Sequence, residues 1–554
     1  MFRPAPWLAL HESLGLEPPP PFDDRPLAEH ISLHAARQPE TTALQFRDLA
    51  ITYRALDELA SRFANALKGA GIGKGDAVGI HLPNIPQYLV AVVALSRLGA
   101  IGSGVSPLMA PGEIAYQVQD ANIKVLLTLD SLASAVLARI DPLPPCLHTI
   151  IVTGAADHLG KPCGDAPAIA GVRTWRYPDL LADALPECAQ TPVAWNDIFM
   201  IQYTGGTTGR PKGAMLSVRN LMHNPAQCEA YAPWDGRHEV VVSAFPMFHM
   251  AGLSIHIAAI RYGCLTLLIP DPRDVAFMCA QMKHFAPTRM AAVPTLYQML
   301  VAAPAFSEID FSGLRIALSG AAPLPGEDRK RIEAIIGPNR LSDVFGMTES
   351  GPVHVCNPPI RSKPATVGIP VAGADTRIVD LETGTRELAF GEAGEIITSG
   401  PQVMLGYLNL PQESARALRE LDGKTWMFTG DVGFMDEEGY ITVCDRAKDM
   451  LIVGGYKVFS VEVEDKLKSL DCIAQSALIG TPDTRRPGND IVNLHVELTA
   501  AAKLRDPEVV RREIFDFCRA NMATFKVPKQ IVLLDAIPLT AVGKIDKKAL
   551  RARA

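Results

Sequence analysis

Four absences narrow the classes of function that this sequence could have. Its ten cysteines are scattered between Cys146 and Cys518 without a Cys-x-x-Cys pair, which argues against a zinc site and favours reduced, buried thiols. The formal net charge of −7 gives no basic footprint for nucleic acid. No apolar run approaches the roughly eighteen residues of a membrane span. The first residues lack the apolar core and small-residue cleavage site of a signal peptide, so we expect a cytoplasmic protein.

The length of the chain indicates more than one domain. A chain of 554 residues exceeds the size at which a single hydrophobic core stops growing. A proline run at 17–21 favours extended backbone, and we interpret residues 1–25 as a surface arm. The charge-dense segment 445–449 follows a strand and precedes about a hundred residues of α+β character, the size of a small domain. We place the domain boundary at this segment.

The pattern of apolar residues predicts an α/β protein. After Thr52, apolar residues recur on one face at helical spacing, namely Leu56, Leu59, Ala60, Phe63 and Leu67. Apolar runs such as 125–127 and 149–152 alternate with helical stretches, as they do in βαβ units. From about Val371, short strands and turns dominate. We expect a large N-terminal domain of mixed and parallel sheets with helices, a β-rich subdomain, and a small α+β C-terminal domain.

The segment Tyr203–Gly213 combines glycines, hydroxyls and two cations directly after the apolar run 199–201. Glycines let the backbone approach an anion closely, and peptide N–H groups, threonine hydroxyls and Lys212 can share the charge of a polyphosphate. The segment is not a Walker A loop, because two residues separate Gly209 from the lysine. From composition alone, a flexible Gly/Thr surface loop explains it equally well.

This segment resembles the phosphate loop of the adenylate-forming enzymes, which include acyl-CoA synthetases, adenylation domains and luciferases. The resemblance covers nearly the whole chain after its first few dozen residues, and it implies a large domain at 26–444, a small mobile lid at 445–554 and a hinge at Asp445. Gly205 stands where many members have Ser, and fatty acyl-CoA ligases often have Gly there. The loop residues expected to contact ATP are Thr204, Gly205, Gly206, Thr207, Thr208, Gly209 and Lys212.

The segment 341–350 places an aromatic ring, a hydroxyl and a carboxylate within five residues. Such a set suits a nucleotide with Mg²⁺, because it offers a ring for adenine, a donor for a phosphate and an anion for the metal. Alone, it could equally be a helix N-terminus capped by Thr348. The resemblance implies that Thr348 contacts the phosphate, Glu349 binds the metal and Phe345 replaces the commoner Tyr. It also assigns nucleotide contacts to Asp343, Gly346 and Met347, and to the adenine-side turn Gly320, Ala321 and Ala322.

Two further motifs match the same superfamily. Asp431 would accept hydrogen bonds from both ribose hydroxyls, with Arg446 as its neighbour, although an Asp in an ordinary turn is a common alternative. His249 resembles the gate residue at the carboxylate end of an acyl tunnel. Without the resemblance, a lone histidine among apolar residues is more often a satisfied core histidine.

Two lysines of the C-terminal region bear on the mechanism. Lys544 follows a glycine that allows a sharp loop, and a compact cation there would stabilise the meeting of a carboxylate with the α-phosphate. By composition alone, it belongs to a solvated basic face. An exposed Lys544 would also be open to acetylation, which removes its charge. The second lysine, Lys457, follows Gly454 and Gly455 in a loop that resembles the one presented for thioester formation, where glycines leave room for the pantetheine arm.

The resemblance is strongest to medium- and long-chain fatty acid–CoA ligases, through Gly205 and the segment 400–407. It implies that ATP, Mg²⁺ and CoA convert a fatty acid through acyl-AMP to acyl-CoA, with release of AMP and pyrophosphate. The alternatives are a CoA ligase for an aromatic or dicarboxylic acid, an adenylation enzyme that loads a carrier protein in trans, and a catalytically silent binding protein. A homodimer, peripheral membrane contact, and an acetyltransferase or deacetylase acting on Lys544 are left open.

Overall fold

The computed structural model describes residues 2–16, 23, 25–161, 163–204, 210–454, 456–487, 489–539 and 545–553. Helices and strands are numbered separately along the chain. No helix within these ranges is both long enough and apolar enough to cross a bilayer.

One sheet has nine strands within the described ranges. In spatial order they are β16 (Ile369–Pro370), β15 (Val353–Cys356), β14 (Leu341–Gly346), β13 (Ile316–Ser319), β12 (Arg289–Ala292), β10 (Val240–Ser243), β11 (Leu265–Leu268), β1 (Thr42–Phe46) and β2 (Leu49–Thr52). The strands from β14 to β1 in this order run parallel, and the outer strands are antiparallel. The helices in this part of the chain are α8 (Val218–Glu229), α9 (Met250–Arg261), α10 (Val275–Phe285), α11 (Pro294–Ala302) and α12 (Gly326–Ile336).

A second sheet has eight strands within the described ranges. In spatial order they are β19 (Gly406–Tyr407), β9 (Lys212–Ser217), β8 (Ile198–Thr204), β4 (Ile101–Gly104), β3 (Ala77–His81), β5 (Ile123–Leu129), β6 (Thr149–Thr153) and β7 (Arg173–Arg176). The strands from β8 to β7 run parallel, whereas β9 and β19 are antiparallel. The accompanying helices are α2 (Leu27–Arg37), α3 (Tyr53–Gly69), α4 (Pro86–Leu98), α5 (Pro111–Asp120), α6 (Asp130–Ala135) and α7 (Tyr177–Asp183).

One hydrophobic core joins the two sheets. It includes residues of β1 in the first sheet, of β3, β5 and β8 in the second, and of helices α3, α4 and α9. Every residue of α4 is buried, as expected for a helix that is apolar all round. Because the sheets share this core, loops at the ends of their strands are held in fixed positions relative to one another.

The β-rich part follows the first sheet. Its strands are β17 (Asp375–Val379), β18 (Gly394–Ser399), β20 (Leu418–Leu421), β21 (Lys424–Met435) and β22 (Ile441–Arg446), and α13 (Pro411–Ala417) precedes β20. The last part has a hydrophobic core of its own, formed by residues between Leu451 and Val527. Its elements are β23 (Leu451–Val453), β24 (Tyr456–Val458), α14 (Ser460–Leu467), β25 (Ile473–Pro482), β26 (Asp490–Leu498), α15 (Pro507–Asn521), β27 (Gln530–Leu534) and α16 (Lys547–Arg551).

The expected α/β fold is confirmed, as is the helix that the apolar spacing predicted after Thr52. The Thr52 hydroxyl accepts a hydrogen bond from the Ala55 N–H at 3.2 Å, so it caps the N-terminus of α3. Four of the five apolar residues that define the predicted face are fully buried, namely Leu56, Ala60, Phe63 and Leu67.

Residues near the N-terminus differ from the surface arm expected for 1–25. Trp7–Ser13 form helix α1, and Trp7 is only 2% exposed. The guanidinium carbon of Arg377 lies 4.9 Å from the centroid of one of its rings. A Cβ added at Gly439 would lie 2.8 Å from the Cβ of Trp7, so the glycine is what allows this approach. The large apolar surface of one indole explains why the segment packs on the β-rich part. The proline run lies outside the described residues.

Replacing Trp7 by Ala should lower the stability of the protein, because truncating a buried aromatic side chain costs about 3–5 kcal/mol. The expected result is a lower midpoint of thermal unfolding. Leu8→Ala is the matched control, since the neighbouring Leu8 is 59% exposed and its loss should change the midpoint little. Equal midpoints for Trp7→Ala and the unmodified protein would contradict the packing described for α1.

Candidate active site

Three of the predicted site segments follow neighbouring parallel strands. The loop 244–249 follows β10, the turn 320–322 follows β13, and residues 347–349 follow β14. Strands β10, β12, β13 and β14 pair in parallel in that order. Because the carboxyl ends of parallel strands meet at one edge of a sheet, these segments line the same edge, where α/β proteins bind their ligands.

Glu349 is the buried carboxylate of this edge. It lies in the short 3-10 turn Thr348–Ser350, and it is 5% exposed. Its Oε1 accepts hydrogen bonds from the Tyr407 hydroxyl at 2.8 Å and from the Thr204 hydroxyl at 3.4 Å. Burial and the neighbouring Glu349 carboxylate raise the pKa of Tyr407, so the phenol stays protonated and donates. These contacts join the first sheet to strands β8 and β19 of the second.

Lys212 lies at the start of β9, directly after the phosphate-loop segment. Its Cα is paired with that of Thr204 across the β8–β9 ladder, so the two residues mark the two ends of the loop. The Lys212 Nζ lies 2.5 Å from Glu413 Oε2 and 5.1 Å from the centroid of the Tyr407 ring. The other Glu413 oxygen pairs with Arg416 at 2.7 Å. The lysine is therefore held between a carboxylate and an aromatic face.

Several predicted contact residues lie outside the described residues, and they are Gly205, Gly206, Thr207, Thr208, Gly209, Gly455 and Lys544. The chain resumes at Arg210, whose guanidinium carbon is 5.4 Å from the centroid of the Tyr116 ring. The Tyr116 hydroxyl donates to the Pro211 carbonyl at 3.1 Å. Tyr116 of helix α5 thus contacts both Arg210 and Pro211, the first residues described after the loop.

The turn 320–322, which the resemblance assigns to the adenine side, has two exposed residues. Ala321 and Ala322 are exposed, and Ala321 has a φ of +69° in the left-handed region. Gly320 is buried, and a Cβ added there would lie 2.7 Å from Val344 Cγ2, so only glycine fits without a shift. The half-buried Phe345 ring packs edge to face on His354 with 5.0 Å between centroids.

Asp343, Gly346 and Met347 have structural partners of their own. The Asp343 carboxylate is ion-paired with Arg329 of α12. Burial raises the pKa of the Asp343 carboxyl, and the Arg329 guanidinium opposes this effect. A Cβ at Gly346 would overlap the Pro352 carbonyl oxygen, and the Met347 N–H donates to the Ser350 hydroxyl at 3.1 Å. These contacts fix the backbone that leads from β14 to Glu349.

Asp431 lies in a bulge rather than in the tight turn that its sequence suggests. Strand β21 is continuous from Lys424 to Met435, and its register against β18 shifts around Thr429–Asp431. Gly430 has a φ of +70°, which supplies the left-handed residue of the bulge. Asp431 pairs with Arg446 on β22 at 2.6 Å, as expected for neighbours.

His249 ends the loop that follows β10. It is half-buried, and its Nδ1 accepts a hydrogen bond from the Ala251 N–H at 3.4 Å, so it caps the N-terminus of α9. Helix α9 continues from there into the shared core. The histidine therefore lies where the solvent-facing edge of the sheet meets the apolar interior.

The predicted hinge residue Asp445 is 3% exposed. Its carboxylate accepts hydrogen bonds from the N–H of Arg446 at 2.8 Å and from the N–H of Ser460, the first residue of α14. Burial raises its pKa. The side chain thus connects the end of β22 to the first helix of the C-terminal region.

The loop predicted for thioester formation is the tip of the β23–β24 hairpin. Gly454 has a φ of +60°, and its N–H donates to Asn489 Oδ1 at 2.7 Å. Lys457 is exposed on β24, next to Tyr456, which is 61% exposed and stacked on Phe525. The hairpin therefore presents a cation and an aromatic ring to solvent.

Tyr407 and Glu413 belong to the site, although sequence analysis assigned neither. Tyr407 stood only within the segment that indicates the subfamily. Glu413 lies in the first turn of α13, where an acidic residue is expected simply because it complements the helix dipole. Nothing local in the sequence connects either residue to Lys212 or Glu349, which lie between 58 and 201 positions away.

The residues present fit a Mg²⁺ ion shared with a nucleotide. Mg²⁺ commonly takes one or two protein carboxylates and completes its shell with phosphate oxygens and water. Glu349 supplies a buried carboxylate oxygen beside β8, the strand that leads into the phosphate loop. Within the described part of the chain, no group of three or more His, Cys, Asp or Glu side chains could form an all-protein cage.

Comparison with known proteins identifies the family of the chain. The family of AMP-binding enzymes matches residues 31–408, and the C-terminal domain of AMP-binding enzymes matches residues 462–544. A long-chain-fatty-acid–CoA ligase of Bacillus subtilis (strain 168) is 34% identical over 98% of this chain and 97% of its own.

Two solved structures are similar over their whole length. The anthranilate CoA ligase AuaEII in complex with anthranoyl-AMP superposes with a TM-score of 0.83 at 26% identity, covering 96% of this chain and 97% of its own. ATP-bound MatB from Rhodopseudomonas palustris gives a TM-score of 0.81 at 27% identity, covering 95% and 98%. The chain belongs to the AMP-binding enzyme family.

Proposed function

We propose that this chain is an AMP-forming acid–thiol ligase that converts a medium- or long-chain fatty acid to its acyl-CoA at the expense of ATP. The observation on which this rests most is the junction of Thr204, Tyr407 and Glu349, which brings the phosphate-loop strand against a buried carboxylate. The fatty substrate is supported by the Bacillus subtilis ligase, which is named for long-chain fatty acids and matches almost the whole chain.

In the first step, an oxygen of the fatty carboxylate attacks the α-phosphorus of ATP, and the bond to the bridging oxygen breaks to release pyrophosphate. Lys212 and the loop residues 204–209 hold the phosphates, and Thr348 contacts them from the other sheet. Glu349 would hold Mg²⁺, which would neutralise phosphate charge when bound. Lys544 supplies the cation that stabilises the approach of two anions.

The nucleoside is held at the edge of the first sheet. Phe345 and the turn 320–322 bind the adenine, and Asp431 accepts hydrogen bonds from the ribose with Arg446 beside it. The ion pair between Asp431 and Arg446 orients this carboxylate before the nucleotide arrives. Asp343, Gly346 and Met347 contribute by fixing the backbone around Phe345.

In the second step, the thiol sulfur of CoA attacks the acyl carbonyl carbon and AMP leaves. Residues 445–554 act as a lid that turns about Asp445, withdraws Lys544 and presents the hairpin with Gly454, Gly455 and Lys457. The separate hydrophobic core of this region supports its treatment as a domain. Acetylation of Lys544 would remove its charge and stop the first step.

An aromatic acid is the second candidate substrate, because the structurally similar anthranilate ligase was solved with an aryl-adenylate. The chemistry would be unchanged, and His249 would stand at the carboxylate end of a shorter pocket.

Cytoplasmic location, peripheral membrane contact and a homodimer remain part of the proposal.

The test is pyrophosphate release with ATP and Mg²⁺ across short, medium and long fatty acids, benzoate, a cinnamate and a dicarboxylate, each with and without CoA. A CoA-stimulated optimum among the fatty acids is expected. Activity confined to ring acids or diacids would overturn the substrate, and release that CoA leaves unchanged would indicate a carrier-protein acceptor. No release with any acid would contradict the proposed function.

Replacing Tyr407 by Phe should reduce adenylate formation by about 10–100-fold and raise the Mg²⁺ concentration needed, because the Tyr407 hydroxyl holds the Glu349 carboxylate in one orientation. The change removes a donor from buried Glu349, and an unsatisfied buried group costs about 1–3 kcal/mol. Tyr53→Phe is the matched control, because the buried Tyr53 hydroxyl donates to the Cys264 carbonyl at 2.8 Å, away from the site. Equal loss in the two variants, or an unchanged Mg²⁺ requirement, would contradict the role of Tyr407.

A further inference from the structure

Asn84 makes two hydrogen bonds with the backbone of the loop that leads to His249. It lies between β3 and α4 and is 4% exposed. Its Nδ2 donates to the Phe245 carbonyl at 3.0 Å, and its Oδ1 accepts from the Met247 N–H at 2.8 Å. One amide therefore satisfies both a backbone acceptor and a backbone donor in a segment more than 160 positions away in the sequence.

Two glycines lie close to the backbone of the same loop on other sides. A Cβ added at Gly252 of α9 would lie 2.3 Å from the Pro246 carbonyl oxygen and 2.5 Å from that of Phe245. A Cβ added at Gly104, the last residue of β4, would lie 2.8 Å from the Phe248 carbonyl oxygen. The loop backbone therefore packs closely against Gly252 and Gly104, and the Asn84 side chain holds it through two hydrogen bonds.

The two hydrogen bonds of Asn84 connect the two sheets. Asn84 follows β3 and Gly104 ends β4, two strands of the sheet that also contains β8, whereas residues 244–249 follow β10 of the other sheet. His249 comes two residues after Met247 and caps the N-terminus of α9. Any shift of the loop away from Asn84 therefore moves the histidine and the first turn of α9 together.

We propose that Asn84 is a positioning residue for acid selection, which fixes His249 at the mouth of the acyl site. This inference rests on the proposed function, in which His249 stands at the carboxylate end of that site. It adds that acid selectivity is set from the opposite sheet, by a side chain that touches neither acid nor nucleotide. Loss of the amide tie changes which acids are accepted and leaves ATP binding unaffected.

The chain offers a matched control for Asn84. Asn224 is 3% exposed and makes the same double contact with another backbone segment. Its Nδ2 donates to the Val353 carbonyl at 2.6 Å, and its Oδ1 accepts from the Val353 N–H at 3.2 Å. Replacing either Asn by Asp keeps the shape and the acceptor but removes the donor, so both variants leave a buried carbonyl without its partner.

A second pair of variants tests the loop from the helix side. Gly252→Ala forces a methyl group against the Phe245 and Pro246 carbonyls and must displace the loop. Gly112→Ala is its control, because Gly112 also lies in the first turn of a helix, α5, and a Cβ there meets nothing within 4 Å. This pair keeps the inference testable if Asn84→Asp fails to fold.

The experiment measures KM for each acid of the panel, KM for ATP and the thermal midpoint in the full-length protein and the four variants. Asn84→Asp and Gly252→Ala should raise KM for the preferred acid at least tenfold and alter the order of preference, with KM for ATP within twofold. Asn224→Asp should lower the thermal midpoint with an unchanged order of acids, and Gly112→Ala should change neither.

Two results would overturn the inference. One is an unchanged acid profile in both Asn84→Asp and Gly252→Ala while the unmodified enzyme is active, which leaves the proposed function standing. The other is an equal rise of KM for acid and ATP in Asn84→Asp, matched by Asn224→Asp, which would make the tie merely structural. If the unmodified protein activates no acid, the proposed function fails and the inference fails with it.

Discussion

The burial of one carboxylate, Glu349, constrains the architecture of the site. A charge removed from water costs several kcal/mol unless hydrogen bonds and opposite charge replace the lost solvation. Here the Tyr407 and Thr204 hydroxyls supply that replacement, and they belong to a different sheet from the strand that precedes Glu349. Satisfying the carboxylate therefore fixes the two sheets against each other at the edge where the predicted site segments lie.

Residues 406–417, which include Tyr407, also position the Lys212 ammonium. Residues 406–417 provide Tyr407, whose hydroxyl holds Glu349 and whose ring lies under the Lys212 ammonium, and Glu413, which pairs with that ammonium. A partly exposed ion pair of this kind is worth about 0–1 kcal/mol, so a polyphosphate can displace it readily. The lysine is thus held by Glu413 and the Tyr407 ring at little cost to the proposed binding of a nucleotide.

The periodic spacing of apolar residues predicted the α/β fold and the buried face of α3, because this spacing is a local signal. The loops after β10, β13 and β14 were assigned to the site through the family resemblance, since their composition alone also fits ordinary turns and caps. Tyr407, Glu413 and Asn84 could not be found in this way, since each acts on a segment that only the tertiary fold brings near. The burial of Trp7 was missed for a related reason. The proline run that follows indicated an exposed arm, but the packing of one indole against the β-rich part decides the structure of residues 7–13. Asp431 was placed correctly beside Arg446, but the bulge that displays it depends on pairing with another strand.

The most direct test of the account is acid-dependent exchange of labelled pyrophosphate into ATP without CoA, compared between the unmodified enzyme and Lys544→Ala. The account predicts exchange with a fatty acid and Mg²⁺ in the unmodified enzyme, since acyl-AMP forms reversibly before any thiol is needed. It also predicts that Lys544→Ala loses exchange but still converts pre-made acyl-AMP and CoA to acyl-CoA. Exchange that requires CoA, or equal loss of both half-reactions in the variant, would contradict it.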